Sequence, residues 1–153
     1  MSSLAPTILY VALVLKCVAF GGGLYETVLI DRVWPNNPQL VQPKRGGINR
    51  KVFWGPIHGL FEIALLASVW LAWGNVQTRI WLLIALACHL SMRVWSFLYF
   101  IPVALRFEKT SNFDSVEMAR IEHWIRLSIW RLPLEIAAIL ALCLAAFSMP
   151  HGG

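Results

Sequence analysis

The sequence predicts an all-α polytopic membrane protein, a four-helix transmembrane bundle with both termini on the non-cytoplasmic side. Three observations carry this expectation. The 153-residue chain is 58% hydrophobic and 14% charged, with a mean hydropathy of +0.64, too apolar for an ordinary soluble domain. Four stretches reach the roughly 20 apolar residues that a helix needs to cross a bilayer core about 30 Å thick: residues 5–30, 52–73, 80–105 and about 127–148. Finally, Arg32, Lys44, Arg45, Arg50 and Lys51 fall between spans one and two, and Arg106, Lys109 and Arg120 between spans three and four, with only Arg79 on the other side. By the positive-inside rule, the loops 31–51 and 106–120 are therefore cytoplasmic.

Residues 1–153 are read as one transmembrane domain. No basic residue precedes Lys16 and no small residue stands before Cys17, so the first span is expected to stay uncleaved. Trp34, Trp54 and Trp124 are placed near the cytoplasmic boundary, and Trp70, Trp73 and Trp81 near the outer one, as an aromatic belt; Trp95 and Trp130 lie deeper. Pro35, Pro38, Pro43 and Gly46-Gly47 make the first loop irregular, able to cap the bundle. A short outer turn from Gly74 to Arg79 makes spans two and three antiparallel neighbours. Asp114 and Glu117 have capping-box spacing, so helix four starts in water near Ser115, and Pro133 is expected to kink it.

The net charge of +5 comes from basic residues scattered between apolar runs, which excludes a nucleic-acid stripe. Cys17, Cys88 and Cys143 are far apart in apolar segments and form no dithiol motif. Functional interest lies instead in charges inside the spans: Lys16, Glu26, Glu62, Arg93, Arg126, Arg131 and Glu135. Facing lipid, they would together cost on the order of 20 kcal/mol. Counted from each span's cytoplasmic end at about 1.5 Å per residue, Glu26 lies roughly 6 Å deep, His58 about 9, Glu62 and Arg93 about 15 and His89 about 24. His58 and Glu62, and likewise His89 and Arg93, stand at i, i+4; His123 and Arg126 at i, i+3, with Trp130 on their stripe. Gly21-Gly22-Gly23 allows close helix approach beside Glu26. Each feature also has a structural explanation: packing hydrogen bonds for the histidines, a Lys16–Glu135 ion pair, an Arg131–Glu135 pair within helix four, or snorkelling of Arg126 and Arg131. His151, in the tail, is left out of the cluster.

Two chemistries fit the cluster. His58 can act as base with Glu62 as its orienting or relay partner, while Arg93 and Arg126 stabilise an oxyanion or enolate and His123 completes the catalytic set. Alternatively, Glu26, His58, Glu62, Glu122 and His123 are of the types that hold a metal in bundle sites. A haem held by His58, His89 or His123 is a third, weaker option. No phosphate loop or serine elbow is present.

Three segments, Phe20-Gly-Gly-Gly-Leu-Tyr-Glu26 leading to Trp34-Pro35, Tyr99-Phe-Ile-Pro102 and His123-Trp-Ile-Arg126, resemble the anthrone oxygenase-like family of small four-span membrane proteins. The resemblance implies an oxygenase-like oxidoreductase for a lipophilic, aromatic or enolisable substrate, acting without an obvious cofactor, with Trp124 and Arg126 in the site. Ile125 stands where that family is expected to carry Asn. The expected substrate contacts are Glu26, Tyr99, Trp124 and Trp130. Expected partners are membrane lipids, a hydrophobic small molecule and a homo-oligomer or larger membrane complex, in a bacterial inner (cytoplasmic) membrane. The competing expectation is a non-catalytic membrane subunit or assembly factor.

Overall fold

A computed structural model describes residues 4–110 and 113–149; His151 lies outside the described residues. Four helices are long and apolar enough to cross a membrane: α1, Leu4–Asn36; α2, Lys51–Leu71; α3, Val76–Phe107; and α4, Ser115–Phe147. The chain is a multi-pass helical bundle. Asn75 caps α3 by accepting from Thr78 N–H and donates from its own amide to Ser148 O at 3.3 Å, so the α2–α3 turn sits against the end of α4. That turn end of the bundle is closed by an apolar cluster that includes Leu9, Ala12, Leu65, Leu82, Ala85, Leu142 and Ala145. Repeated alanines let the helices approach closely there.

The opposite end carries the two long loops. Asp114 caps α4 through Glu117 N–H at 2.9 Å, as the spacing foretells. The Glu117 carboxylate then accepts from Arg106 and from Arg120, the latter at 2.8 Å, tying α3 to α4. The first loop does cap the bundle: its short 3-10 turns bury Val41, and the Gln42 amide donates to Phe107 O at 3.1 Å and Thr110 O at 2.7 Å. Trp34 and Trp124 are not belt residues. They are almost fully buried in a second core with Val41, Phe100, Phe107 and Ile121. Trp70 and Trp73, by contrast, are exposed at the turn end.

The helix limits differ from the hydropathy spans because the helices outrun the apolar stretches. α1 continues past Ile30 to Asn36, α3 ends at Phe107, and α4 begins in its capped polar turn. All four helices are irregular toward the loop end. α1 widens into a π-helical turn at Glu26–Ile30 and α3 into another at Ser96–Phe100. α2 contains Pro56. α4 breaks at Ile129–Trp130, between segments Ser115–Ser128 and Arg131–Phe147. Pro133 lies in the first turn of the second segment, where its missing N–H is tolerated, so the kink precedes the proline.

Of the glycine triplet, Gly22 and Gly23 abut Phe53, Trp54 and Leu132, whereas Gly21 has open space around it. Gly47 is the tightest glycine: a side chain there would press on the backbone of Gln39, Leu40 and Gln42. Gly47→Ala should therefore loosen the Gln42 clasp and cost about 1–3 kcal/mol. Gly21→Ala should be neutral or stabilise by up to about 1 kcal/mol. Denaturation in detergent measures both.

Candidate functional site

Between the two apolar clusters lies a polar layer held by one chain of contacts. Glu135 on α4 pairs with Lys16 on α1 at 2.6 Å, although the angle falls outside hydrogen-bond geometry. Lys16 Nζ lies 3.4 Å from His89 Nδ1 on α3 and over the Phe61 ring. His89 Nε2 lies 3.2 Å from Glu62 Oε1 on α2, and Arg93 Nε donates to the same oxygen at 2.8 Å. Lys16, facing His89 Nδ1, makes that nitrogen the acceptor, so Nε2 carries the hydrogen donated to Glu62. Every helix contributes a member. The expected Lys16–Glu135 pair is thus present. Arg131 does not pair with Glu135; its Nε donates to Ser128 O at 3.3 Å and its guanidinium covers the Phe100 face at 4.3 Å.

On the loop side of this chain is a cavity of about 320 Å³, within the size range of small-molecule sites. All four helices line it: Glu26 and Thr27 from the α1 π-turn; Trp54, Gly55 and His58 around Pro56 of α2; Arg93, Ser96, Phe97 and Phe100 at the α3 π-turn; and Trp124, Ser128, Arg131 and Glu135 on either side of the α4 break. π-turns and proline breaks swing side chains off the regular helical faces and frequently accompany functional sites. α2 and α3 pack together much less closely than the other adjacent pairs. Lining residues Gly55, Phe97 and Ile101 are exposed along that seam, so the cavity opens sideways toward the bilayer.

Of the expected catalytic set, His58 and Arg93 line this cavity. The His58 ring stacks on Trp54 at 5.3 Å and lies 5.7 Å from the His89 ring; its Nδ1 is buried without a hydrogen-bond partner. Glu62 does not orient His58, because its carboxylate is taken by His89 and Arg93. His89 does not lie far below His58. The ends of α2 and α3 are level, since Lys51 at the start of α2 reaches Glu108 just past the end of α3 at 2.9 Å, and Glu62 meets both Arg93 and, one turn along α3, His89.

Glu122, His123 and Arg126 are exposed on the outside of α4, with His123 edge-on to Tyr99 at 6.4 Å. The first α4 segment buries Glu117, Ile121, Trp124 and Ser128 instead, a seam at helical spacing that turns the His123–Arg126–Trp130 stripe outward. Of the expected substrate contacts, Glu26 and Trp124 line the cavity, while Tyr99 and Trp130 do not. The expected metal ligands Glu26, His58, Glu62, Glu122 and His123 do not assemble, and no metal-ready group of His, Cys, Asp or Glu occurs among the described residues. A haem is equally ill served: both His89 nitrogens are engaged and His123 faces outward. Asp31 and Arg50 escaped the sequence reading as members of this region, and Arg131 was expected only to pair within helix four or to snorkel. Asp31 is buried in α1, accepting from Trp34 Nε1 at 3.1 Å and Ser128 Oγ at 3.4 Å. Arg50 and Arg131 carry cations into the cavity wall.

Fold and site together define a small polytopic helical-bundle membrane protein with a mainly apolar cavity, carrying a few charged side chains, between its helices. No family model matches the chain, and neither a curated protein nor a solved structure shows detectable similarity to it.

His89 is fully buried between a cation and an anion. His89→Leu should remove one polar contact from each, leaving Lys16 to Glu135 and Glu62 to Arg93, and cost about 2–4 kcal/mol in unfolding free energy, whereas His89→Gln, which keeps a donor and an acceptor, should cost less. Denaturant titration in mixed micelles checks this.

Proposed function

We propose that the cavity binds a lipophilic, enolisable molecule entering from the bilayer and carries out proton-coupled oxidation or isomerisation on it. The observation that supports this most is His58: an imidazole in a cavity wall, stacked on Trp54, with an unpartnered Nδ1. That nitrogen is buried, so on this reading the Trp54–His58 wall parts to bring it to the substrate, where an unpartnered imidazole nitrogen can remove a proton from carbon. Arg93, already held by Glu62, supplies positive charge toward the enolate oxygen in a low-dielectric pocket. Return of the proton to a different carbon completes an isomerisation. In an oxidation, dioxygen is the co-reactant: a CH2 group becomes C=O, one oxygen atom entering the carbonyl and the other leaving as water with the two hydrogens. The resemblance to anthrone oxygenases favours a polycyclic anthrone as the first substrate to test. The excess of basic residues in the two long loops supports a cytoplasmic-membrane location with those loops inside.

A second reading, a non-catalytic subunit or assembly factor, draws support from the Lys16–Glu135 pair, which is buried beneath the cavity. Stability separates the two, because active-site side chains trade stability for function.

His58→Ala should lower deuterium wash-in at the acidic carbon of an anthrone by at least about 100-fold while leaving the melting temperature close to wild type. His123→Ala, outside the cavity, should stay within about twofold. Equal rates for wild type and His58→Ala would overturn the assignment of the base.

A further inference from the structure

The cavity holds more cationic hydrogen-bonding capacity than the chain uses. The Lys16–Glu135, Lys51–Glu108 and Arg93–Glu62 pairs account for three cations. Arg50 and Arg131, both lining the cavity, are left under-served. Arg50 touches a carboxylate only through Nε, at 3.4 Å from Glu26 Oε1, and its Nη2 is buried without a partner. Its guanidinium is held 5.8 Å from the rings of both Trp34 and Trp124, and so is preorganised. Arg131 makes no ion pair among the described residues; its Nε donates to Ser128 O. Asp31, whose carboxylate accepts from Trp34 and Ser128, acts with Glu26 and Glu135 to balance the charge of Arg131 at longer range without hydrogen-bonding it. Guanidinium N–H groups left without acceptors at membrane depth are costly and mark ligand sites.

We infer that Arg50 and Arg131 form an oxyanion site for the carboxylate or phosphate head of an amphiphile whose hydrocarbon part lies along Phe97, Ile101 and Leu105 toward the open α2–α3 seam. The guanidinium fork matches both oxyanions bidentately. Apolar walls and a sideways opening select an amphiphile over a free ion. The inference rests on the reading that this cavity is the substrate site, and names the polar end of the substrate. It leaves His58 and Arg93 at the reacting end.

Binding tests it without turnover. Wild-type protein in phosphatidylcholine nanodiscs is titrated with dodecyl phosphate, dodecanol and inorganic phosphate, and the same titration is repeated for Arg50→Gln, Arg131→Gln, Arg32→Gln and His58→Ala. Arg32 is exposed on α1 and absent from the cavity lining. Dodecyl phosphate should saturate at one site, at least about tenfold tighter than dodecanol. Arg50→Gln and Arg131→Gln should each weaken it about tenfold or more, with Arg32→Gln and His58→Ala within about twofold. Intact binding to His58→Ala separates this inference from the assignment of the base. Equal affinity for dodecanol and dodecyl phosphate in the wild type, a measurement that needs no variant to fold, would overturn the site. Equal affinity for inorganic and dodecyl phosphate would overturn the amphiphile, and unchanged binding in both arginine variants would overturn the residues.

Discussion

The architecture depends on where Lys16 puts its charge. Its side chain is 1% exposed, midway along an apolar helix, where an ammonium group left to itself would oppose insertion. It is accommodated because Glu135 lies against it and His89 Nδ1 faces it, while His89 passes the connection to Glu62 and Arg93. Desolvating these groups is costly, so the chain does not make the bundle more stable than a well-packed apolar layer would. What it does is fix register: Lys16, Glu62 and Glu135 each give their helix one position at which a polar side chain meets the next, and α3 gives two, His89 and Arg93. α2 and α3, which pack loosely, are bridged at this layer by side chains instead of by close helix contact.

Above and below that layer the bundle behaves differently. Toward the turn end the helices are regular, rich in alanine and closely packed. Toward the loop end each departs from regularity, through a π-turn, a proline or a break. Four irregularities around one axis leave space that straight helices would close, and the folded first loop with Trp34 and Trp124 seals it from below. The result is a cavity with a polar floor, aromatic walls and one opening toward lipid. A base and an anion-stabilising arginine can work there with little competition from water.

Much of this was legible in the sequence. Hydropathy and basic-residue asymmetry mark four spans, Asp114 marks the start of α4, and the prolines of the first loop mark its irregular cap. Lys16 and Glu135 could be paired because two opposite charges in apolar spans have few other options. The sites of irregularity also left a trace: Pro35, Pro56, Pro102 and Pro133 stand one per helix near the loop end. What could not be read was rotation and level. A π-turn inserts a residue and turns every later side chain, and the α4 break separates the face of Arg131 and Glu135 from that of His123 and Arg126. Spacing within one helix therefore chose the wrong stripe. Depth counted from sequence failed for His89 because a count along straight, regular helices carries no information on how far side chains reach between neighbouring helices, and here the His58 and His89 rings lie 5.7 Å apart. Arg50 looked like an ordinary loop cation until the loop folded beneath the bundle.

A double-mutant cycle on Lys16 and Glu135 tests the organising role of the buried chain most directly, with unfolding free energies measured for Lys16→Met, Glu135→Gln and the double variant. Removing either partner alone leaves an uncompensated buried charge and should cost about 3–5 kcal/mol, while the double variant should cost much less than the sum. Small, additive effects, within about 0.5 kcal/mol for each single change, would show that the four helices find their register without this pair and would contradict the account.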